Sequence, residues 1–275
     1  MNIVPLFIAV ALSFVSAEAS PRPPISQVKS DLEAIPNRTA LEVEQLIKSA
    51  DAGDAAAQLQ LGNVYFFGKG AAQSFPLALD RYLQSAANGL AEAQFNLGNM
   101  YDFGKGIPVD DLEAYRWYRM AAEQGHILAQ YSVGVYFNQG RGVQRDDSEA
   151  MKWFQKAAAQ GYIRAQFNIG NMFADGRGVR RDSTEAMKWL RLAAQGGYTE
   201  AQLNLARHYA TGEYVKLNAT QAYKWYSLAA DQGGPFQQDA LQGLRFLESR
   251  ISSRAAKAGK AAAQRCLATG LVGCN

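Results

Sequence analysis

Acidic residues stand side by side at two places in the sequence, Asp110–Asp111 and Asp146–Asp147. Two neighbouring carboxylates can divide the roles of general acid and general base. In both places, however, a Glu follows three residues after the first Asp, which is the pattern of a helix N-cap with a capping box. Such a carboxylate accepts a hydrogen bond from a free helix N–H and faces the positive end of the helix dipole. We therefore interpret the pairs as helix caps and expect no catalytic residues.

The other chemically active residue types are few or wrongly spaced. Gly-Lys-Gly turns are reminiscent of phosphate loops, but a P-loop needs Gly-x4-Gly-Lys-Ser/Thr at the start of a helix. Here five residues separate Gly98 from Gly104, and the turn follows a helix. The two histidines, His126 and His208, have no acid-rich or cysteine-rich neighbours in sequence, so the sequence predicts no metal site. The motifs G-x-S-x-G, H-E-x-x-H and CxxC do not occur, and we predict a non-enzymatic protein without a cofactor.

Composition sets the class of protein. The chain has 275 residues, of which 48% are apolar, so it can bury a sizeable core. The net charge of +3 is too small to indicate a nucleic-acid-binding protein. Residues 3–15 are almost wholly apolar and Ala17-Glu18-Ala19 follows them, so we predict a signal peptide over 1–19. The apolar run is too short for a transmembrane segment. Residues 20–40 begin with closely spaced prolines and are predicted as a Pro-rich linker.

The strongest signal is an internal repeat with a period of 36 residues. Ala, Gly and Trp each recur in fixed columns, and all four tryptophans of the protein share one column. A period of this length indicates a solenoid, in which each unit packs on its neighbours to bury a continuous core. The columns are Ala57, Ala93, Ala129, Ala165 and Ala201; Gly68, Gly104, Gly140, Gly176 and Gly212; and Trp117, Trp153, Trp189 and Trp225.

Each unit is predicted to form two helices. The first, helix A, carries an apolar stripe that includes Ala57, Leu61 and Tyr65. Glycines follow at its end, where a left-handed residue commonly terminates a helix. The second, helix B, carries Ala-x-x-Trp-Tyr-x-x-Ala-Ala, as over residues 114–122. The sequence therefore predicts an all-α protein with an α/α solenoid of two-helix repeats.

The repeated pattern is A-Q-x-x-L-G-x-x-Y-x-x-G-x-G, followed by x-x-D-x-x-x-A-x-x-W-Y-x-x-A-A-x-Q-G. It resembles the Sel-one-like repeat (SLR) family, relatives of the tetratricopeptide repeats, which implies a right-handed superhelix. Residues 240–275 are predicted as a C-terminal capping helix and tail, because terminal repeats act as caps. The repeat domain spans 41–239, with a preceding half repeat and full units at 57–92, 93–128, 129–164, 165–200 and 201–236.

The resemblance implies a scaffold or adaptor for protein–protein interaction. Members of this type often act outside the cytoplasm as adaptors or regulators of envelope signalling, which implies a periplasmic or secreted protein. Two alternatives stay open: a β-lactam-binding or β-lactam-hydrolysing enzyme, as in cysteine-rich relatives, and a secreted effector that binds a host protein. Those relatives carry regular cysteine pairs within their repeats, whereas this chain has no cysteine before Cys266.

A second face of helix A is the predicted partner site. We place on it the positions three, six, seven and ten residues after the first Ala of each unit. Asparagine can pair with an extended main chain, and Met or Tyr can supply adaptable apolar contact. We expect a protein or extended peptide segment to bind along this concave groove; the alternatives are a solvated face, or asparagines that bond within their own repeat. The predicted partner-binding residues are Asn96, Asn99, Met100, Tyr136, Asn168, Asn171, Met172, Asn204, Arg207 and His208.

The remaining predictions concern the basic residues of the turns and of the C-terminal part, and the two cysteines. The turns of the first four units carry one cation each, which could hold an acidic partner, although the capping aspartates nearby offset much of this charge. Residues 250–265 hold cations and no acid, a pattern that fits docking on an acidic protein or lipid surface, or a solvated helix. In an oxidising compartment, Cys266 and Cys274 are expected to form a disulfide that closes the tail. The basic turn ladder is Lys69, Lys105, Arg141 and Arg177.

Overall fold

A computed structural model of the chain describes residues 38–271 and residue 274. The predicted signal peptide over 1–19 and most of the predicted linker over 20–40 lie outside these residues. In the described part, the chain forms thirteen α-helices and no strand. The helices are α1 Ala40–Asp51, α2 Ala55–Phe67, α3 Phe75–Ala87, α4 Ala91–Phe103, α5 Asp111–Glu123, α6 Ile127–Gln139, α7 Asp147–Ala159, α8 Ile163–Asp175, α9 Ser183–Gln195, α10 Thr199–Thr211, α11 Ala219–Asp231, α12 Gln237–Glu248 and α13 Ser253–Ala268.

The helices pack in chain order. Within each repeat, helix A packs on helix B, and helix B then packs on helix A of the next repeat. The five A–B pairs are α2–α3, α4–α5, α6–α7, α8–α9 and α10–α11, and α1 packs on α2 as a preceding helix B. The prediction of an all-α solenoid is confirmed.

Helix ends are set by the residues that the sequence singled out. The Asp110 carboxylate accepts hydrogen bonds from the backbone N–H groups of Leu112 and Glu113, both at 3.0 Å. Asp146 and Asp182 cap α7 and α9 in the same way. At the other end of α4, Gly104 has a φ of 63°, a conformation that costs a residue with a Cβ more than it costs glycine. The first acid of each pair is therefore a helix cap, as predicted, whereas the second acids, Asp111 and Asp147, form ion pairs with Arg141 and Arg145.

A column of buried glutamines joins successive repeats. The Gln94 side-chain amide in α4 donates to the Ala86 carbonyl near the end of α3, at 3.4 Å. The Gln124 amide, after α5, donates to Gln94 Oε1 at 2.7 Å. Gln130 makes the equivalent pair of bonds one repeat later, with Ala122 and Gln160. Each glutamine thus satisfies a helix-end carbonyl of the preceding repeat, which an apolar residue could not do.

The C-terminal part contains two helices, where a single capping helix was predicted. Ser252 begins the second one, α13, by accepting a hydrogen bond from the Ala255 N–H at 3.2 Å, and α13 packs on α11. A disulfide joins Cys266 to Cys274, and the Gln195 amide donates to the Cys274 carbonyl at 3.1 Å. The tail therefore returns to the end of helix B in repeat 4.

Lys224, in the last helix B, is buried, unlike the residues at the same position in repeats 2, 3 and 4. Lys224 occupies the helix-B column that is exposed in repeats 2, 3 and 4, where it holds Arg116, Lys152 and Lys188. In repeat 5 the Lys224 residue is 1% exposed. Desolvation, with a smaller contribution from the nearby Arg191, lowers the pKa of the Lys224 ammonium to about 8. Its Nζ lies 4.3 Å from the centroid of the Trp225 ring.

Candidate functional site

The exposed face of helix A is narrower than the sequence pattern indicated. We define this helix-A face by the positions three, six and ten residues after the first Ala of each unit. At 100° per residue these positions lie within about 60° of one another, whereas the seventh lies only about 20° from the first Ala itself, which is a core position. The seventh position therefore points into the core.

Three predicted groove residues are consequently buried. Met100 is 0% exposed, and Met172 and Tyr136 are each 1% exposed. Met100 packs with Tyr82 and Leu97 in the core between repeats 1 and 2. The prediction that these three side chains line a partner surface is wrong, because it assigned the seventh position to the wrong side of the helix.

Asn99 lies on the helix-A face but is bonded within its own repeat. The Tyr118 hydroxyl of helix B donates to Asn99 Oδ1 at 2.8 Å. In repeat 1 the Tyr82 hydroxyl donates to Asn63 Oδ1 at 2.7 Å. The amide oxygens of Asn99 and Asn63 therefore accept a hydrogen bond within their own repeat, which is the alternative that the sequence left open for the asparagines.

Repeat 4 lacks this internal bond. The two positions lie 19 residues apart in every repeat. In repeat 4 the residue in the tyrosine column is Leu190, which has no hydroxyl. Asn171 is partly exposed and makes no side-chain hydrogen bond within the described residues. The sequence indicates which repeats can form this bond. Where the helix-B residue is Tyr, the helix-A residue is polar; where it is Phe, the helix-A residue is Val; only repeat 4 combines Asn with a residue that has no hydroxyl. The five pairs are Asn63–Tyr82, Asn99–Tyr118, Val135–Phe154, Asn171–Leu190 and Arg207–Tyr226.

The other asparagines of the face differ between its two ends. The Asn96 amide donates to Asn63 Oδ1 of the preceding repeat at 3.4 Å. Asn168 and Asn204 are partly exposed and have no side-chain hydrogen-bond partner among residues 38–271 and 274. Repeats 4 and 5 therefore present amides whose donors and acceptors are available to another molecule.

In repeat 5, Arg207 occupies the sixth position, on the helix-A face, whereas His208 occupies the seventh, so its prediction as a groove residue carries the same error. An Arg207 guanidinium nitrogen lies 3.9 Å from a carboxylate oxygen of Asp239. His208 Nδ1 lies 3.8 Å from Glu213 Oε2, and the side chain is 15% exposed. Burial lowers the pKa of the His208 imidazole; the Glu213 carboxylate acts in the opposite direction and the Arg207 charge in the same one. His208 is thus held mostly inside repeat 5 while Arg207 is exposed.

The four cations of the turn ladder have different environments. Arg141 bonds to Asp102 and Asp111 of the preceding repeat, and its guanidinium lies 4.5 Å from the centroid of the Tyr136 ring. Arg177 pairs with Asp175 at 3.1 Å. Lys105 is exposed and Lys69 is partly exposed. The ladder is therefore not one uniform basic stripe, because Arg141 serves an internal ion-pair network.

The described part of the chain lacks two other kinds of functional feature, a membrane-spanning helix and a metal-binding cluster. None of its helices combines the length and the apolar character that crossing a membrane requires. Among the same residues, no cluster of three or more His, Cys, Asp or Glu side chains has a geometry that could hold a metal ion.

Comparison with known proteins identifies the repeats. Five consecutive segments match the family described as Sel1 repeat, at residues 55–90, 91–126, 127–162, 163–198 and 199–234. The chain is similar to a Sel1 repeat protein from Oxalobacter formigenes, with 33% identity and a TM-score of 0.67, over 80% of this chain and 93% of that one. It is also similar to c5321, a protective antigen present in uropathogenic Escherichia coli strains that displays an SLR fold. That match has 28% identity and a TM-score of 0.55, over 83% of this chain and 56% of that one. No curated protein matches.

Proposed function

Because the chain belongs to the Sel1 repeat family, we propose that it is an interaction scaffold that binds an extended segment of a partner protein along the helix-A face. Proteins built from these repeats generally mediate protein–protein interaction, and the repeat scaffold is typically non-enzymatic. The binding surface in this proposal is centred on repeats 4 and 5. Its principal residues are Asn168, Asn171 and Asn204, with Arg207 at its edge.

The observation that carries the proposal is the set of amides without internal partners. Asn168 and Asn171 are partly exposed and make no side-chain hydrogen bond within the described residues, whereas the Asn99 side chain bonds to Tyr118. An amide offers one acceptor and two donors, which matches the alternating N–H and C=O groups of an extended main chain. Side chains on this face of successive A helices can come close together, as the 3.4 Å contact between Asn96 and Asn63 shows, so amides from successive repeats can contact one extended peptide.

The proposal also includes the location of the protein. The apolar run over 3–15 and the Ala17-Glu18-Ala19 pattern support export from the cytoplasm, and we place the scaffold in the periplasm or outside the cell, in a pathway of envelope signalling. N-terminal sequencing of protein recovered from fractionated cells tests this placement. Cleavage after Ala17 or Ala19 supports it, and an intact Met1 in the cytoplasmic fraction contradicts it.

Site-specific crosslinking tests the surface. A photoreactive amino acid at position 168 is compared with the same group at position 155, an exposed residue of helix B in repeat 3. We expect position 168 to give a protein adduct in the native cells, with the crosslink mapping to one extended segment of the partner, and position 155 to give none. Equal adducts from both positions, or none from 168, would contradict the helix-A assignment.

A paired substitution measures the contribution of the amides. We expect Asn168→Ala with Asn171→Ala to weaken partner binding by about 10-fold or more, because each lost amide hydrogen bond contributes on the order of 1 kcal/mol. The matched control is Gln155→Ala with Lys188→Ala on exposed helix-B positions, which is expected to leave affinity unchanged. Both proteins should unfold at the wild-type temperature, since none of these side chains is buried.

A further inference from the structure

Charge is unevenly divided along the chain. Residues 38–249 carry 21 Lys and Arg against 22 Asp and Glu, so the repeats are close to neutral. Residues 250–275 carry five cations and no acid. All five cations are exposed; four of them lie in α13 and the fifth lies three residues before its first residue. They are Arg250, Arg254, Lys257, Lys260 and Arg265.

Packing of α13 directs these cations outward. The buried residues of α13 are Gly259, Ala263 and Cys266. At Gly259 the backbone comes so close to α11 that a Cβ would lie 2.7 Å from Tyr223 Cβ and 2.9 Å from the Thr220 carbonyl oxygen. At 100° per residue, Arg254 and Lys257 lie on the side of the helix opposite to Gly259. The close contact therefore fixes which side of α13 faces away from the repeats.

None of the five cations forms an ion pair within the described residues. The contrast is with one column of helix B in repeats 2, 3 and 4, where the exposed cation pairs with a Glu three residues earlier. Those pairs are Arg116–Glu113, Lys152–Glu149 and Lys188–Glu185. The cationic face, defined here as Arg250, Arg254, Lys257, Lys260 and Arg265, is thus a concentration of charge that the fold leaves without counter-charge.

The side chains around this face are small or apolar. Between Arg254 and Arg265 the residues other than the two lysines are small except for Gln264, and most of the alanines are only partly exposed, so the cations project beyond their neighbours. The Arg250 guanidinium lies 3.9 Å from the centroid of the Phe246 ring, and Phe246 is 45% exposed. Leu267 is 41% exposed in the last turn of α13. Large exposed apolar side chains therefore occur near both ends of the cationic face.

We propose that the cationic face docks the protein on the surface of a bilayer that contains anionic phospholipid. A bilayer surface attracts clustered Lys and Arg by charge density and requires no shape complementarity. Long cationic side chains on one side of a helix suit such a surface, because they can reach lipid headgroups without a shaped binding site. Partly exposed Phe246 and Leu267 can enter the headgroup region, as apolar side chains of interfacial helices do. This proposal is independent of the helix-A face.

Vesicle sedimentation with the full chain tests the proposal. The probes are vesicles of phosphatidylcholine alone and vesicles with about one-third phosphatidylglycerol, each at low and high salt. The test variant carries Arg254→Gln, Lys257→Gln and Lys260→Gln. The control carries Arg116→Gln, Lys152→Gln and Lys188→Gln, which removes the same net charge from the ion-paired positions. Circular dichroism verifies that both variants fold.

We expect the wild type to bind the anionic vesicles at least about 10-fold more tightly than the neutral ones, with the preference lost at high salt. The test variant should lose on the order of 100-fold in partition coefficient, because one cation near an anionic surface contributes roughly fivefold. The control should stay within about threefold of wild type. If the apolar residues 3–15 caused the binding, the partition coefficient would be the same on neutral and anionic vesicles, and the same for wild type and both variants.

Three results would overturn the proposal. If the wild type does not bind anionic vesicles, or binds neutral vesicles equally well, charge does not direct it to a membrane. Equal losses in the two triple variants would show that net charge, rather than this face, drives binding. Displacement from the vesicles by a polyglutamate peptide or a DNA duplex at matched charge concentration would assign the face to an acidic macromolecule instead.

Discussion

The Tyr118 ring lies directly on the backbone of Gly98. A Cβ placed on Gly98 would come within 2.5 Å of Tyr118 Cδ1 and 3.0 Å of Cγ. Tyr118 is 2% exposed, and its hydroxyl is held by Asn99 at 2.8 Å, so the ring has little freedom to move. Helix A and helix B of repeat 2 can approach this closely only because residue 98 has no side chain.

We expect Gly98→Ala to lower the free energy of unfolding by about 1–3 kcal/mol, because overpacking against a fixed ring costs more than alanine contributes to helix propensity. Urea denaturation measures the change. Gly170→Ala is the matched control in repeat 4, where the nearest atom is Leu190 Cγ at 2.9 Å. The Leu190 backbone nitrogen would lie at 3.2 Å and cannot move, but the leucine side chain can turn away where the Tyr118 ring cannot, so we expect the control to lose less than half as much. Equal losses would show that ring rigidity does not set the cost.

In repeat 5 the contact between the helix-B ring and a glycine backbone involves a different helix. Ala206 occupies the glycine column there, and the ring of Tyr226 instead lies on Gly243 of α12, where a Cβ would be 2.4 Å from Cε1. The close ring–backbone contact is therefore moved to the interface between the last repeat and the C-terminal helices. Drift of the pattern in a terminal repeat is expected, because its neighbour is no longer another repeat.

Arg141 stabilises the contact between repeats 2 and 3. Its guanidinium bonds to Asp102, whose side chain is 4% exposed, and to Asp111. Arg141→Ala leaves the Asp102 carboxylate buried without this partner, and we expect a loss of about 3–5 kcal/mol in the free energy of unfolding. Thermal or urea denaturation measures it.

Two further variants separate charge from packing at this site. Lys105→Ala removes the exposed cation at the same repeat position and is expected to change stability by no more than about 0.5 kcal/mol. Adding Asp102→Asn to Arg141→Ala removes the stranded charge and should recover part of the loss. If Arg141→Ala costs less than about 1 kcal/mol, the network is not an important source of stability.

The sequence alone was sufficient for the features that recur in every repeat. Ala57 and Gly68 head columns that persist through five units, so the period, the helix pairs and the helix ends could be read directly. The misplacement of Met100 was an error of angle, since its position lies about 20° from a core column. Arg141 was different. Its buried partner Asp102 has no acidic counterpart in the other repeats, which hold Phe66, Asn138, Ala174 and Ala210 there, so the column pattern carried no signal for the ion pair.

Lys224 should make stability depend on pH in the alkaline range. Burial lowers the pKa of its ammonium to about 8 in the folded protein, against about 10.4 in the unfolded chain. Between these values the unfolded state binds more protons than the folded state, so this group makes stability rise with pH. Below pH 8 the ammonium is charged in both states, and the folded protein bears the net cost that lowers the pKa.

We therefore expect Lys224→Met to be more stable than wild type at pH 7, by on the order of 1–3 kcal/mol. The advantage should shrink as pH rises from about 8 to about 10.4, and urea denaturation at a series of pH values measures it. Lys188→Met is the matched control, because Lys188 occupies the same helix-B column with its side chain 69% exposed and should show no such trend. A Lys224→Met variant that is less stable at pH 7, or whose advantage does not change with pH, would show that the covered ammonium is better solvated than its 1% exposure indicates.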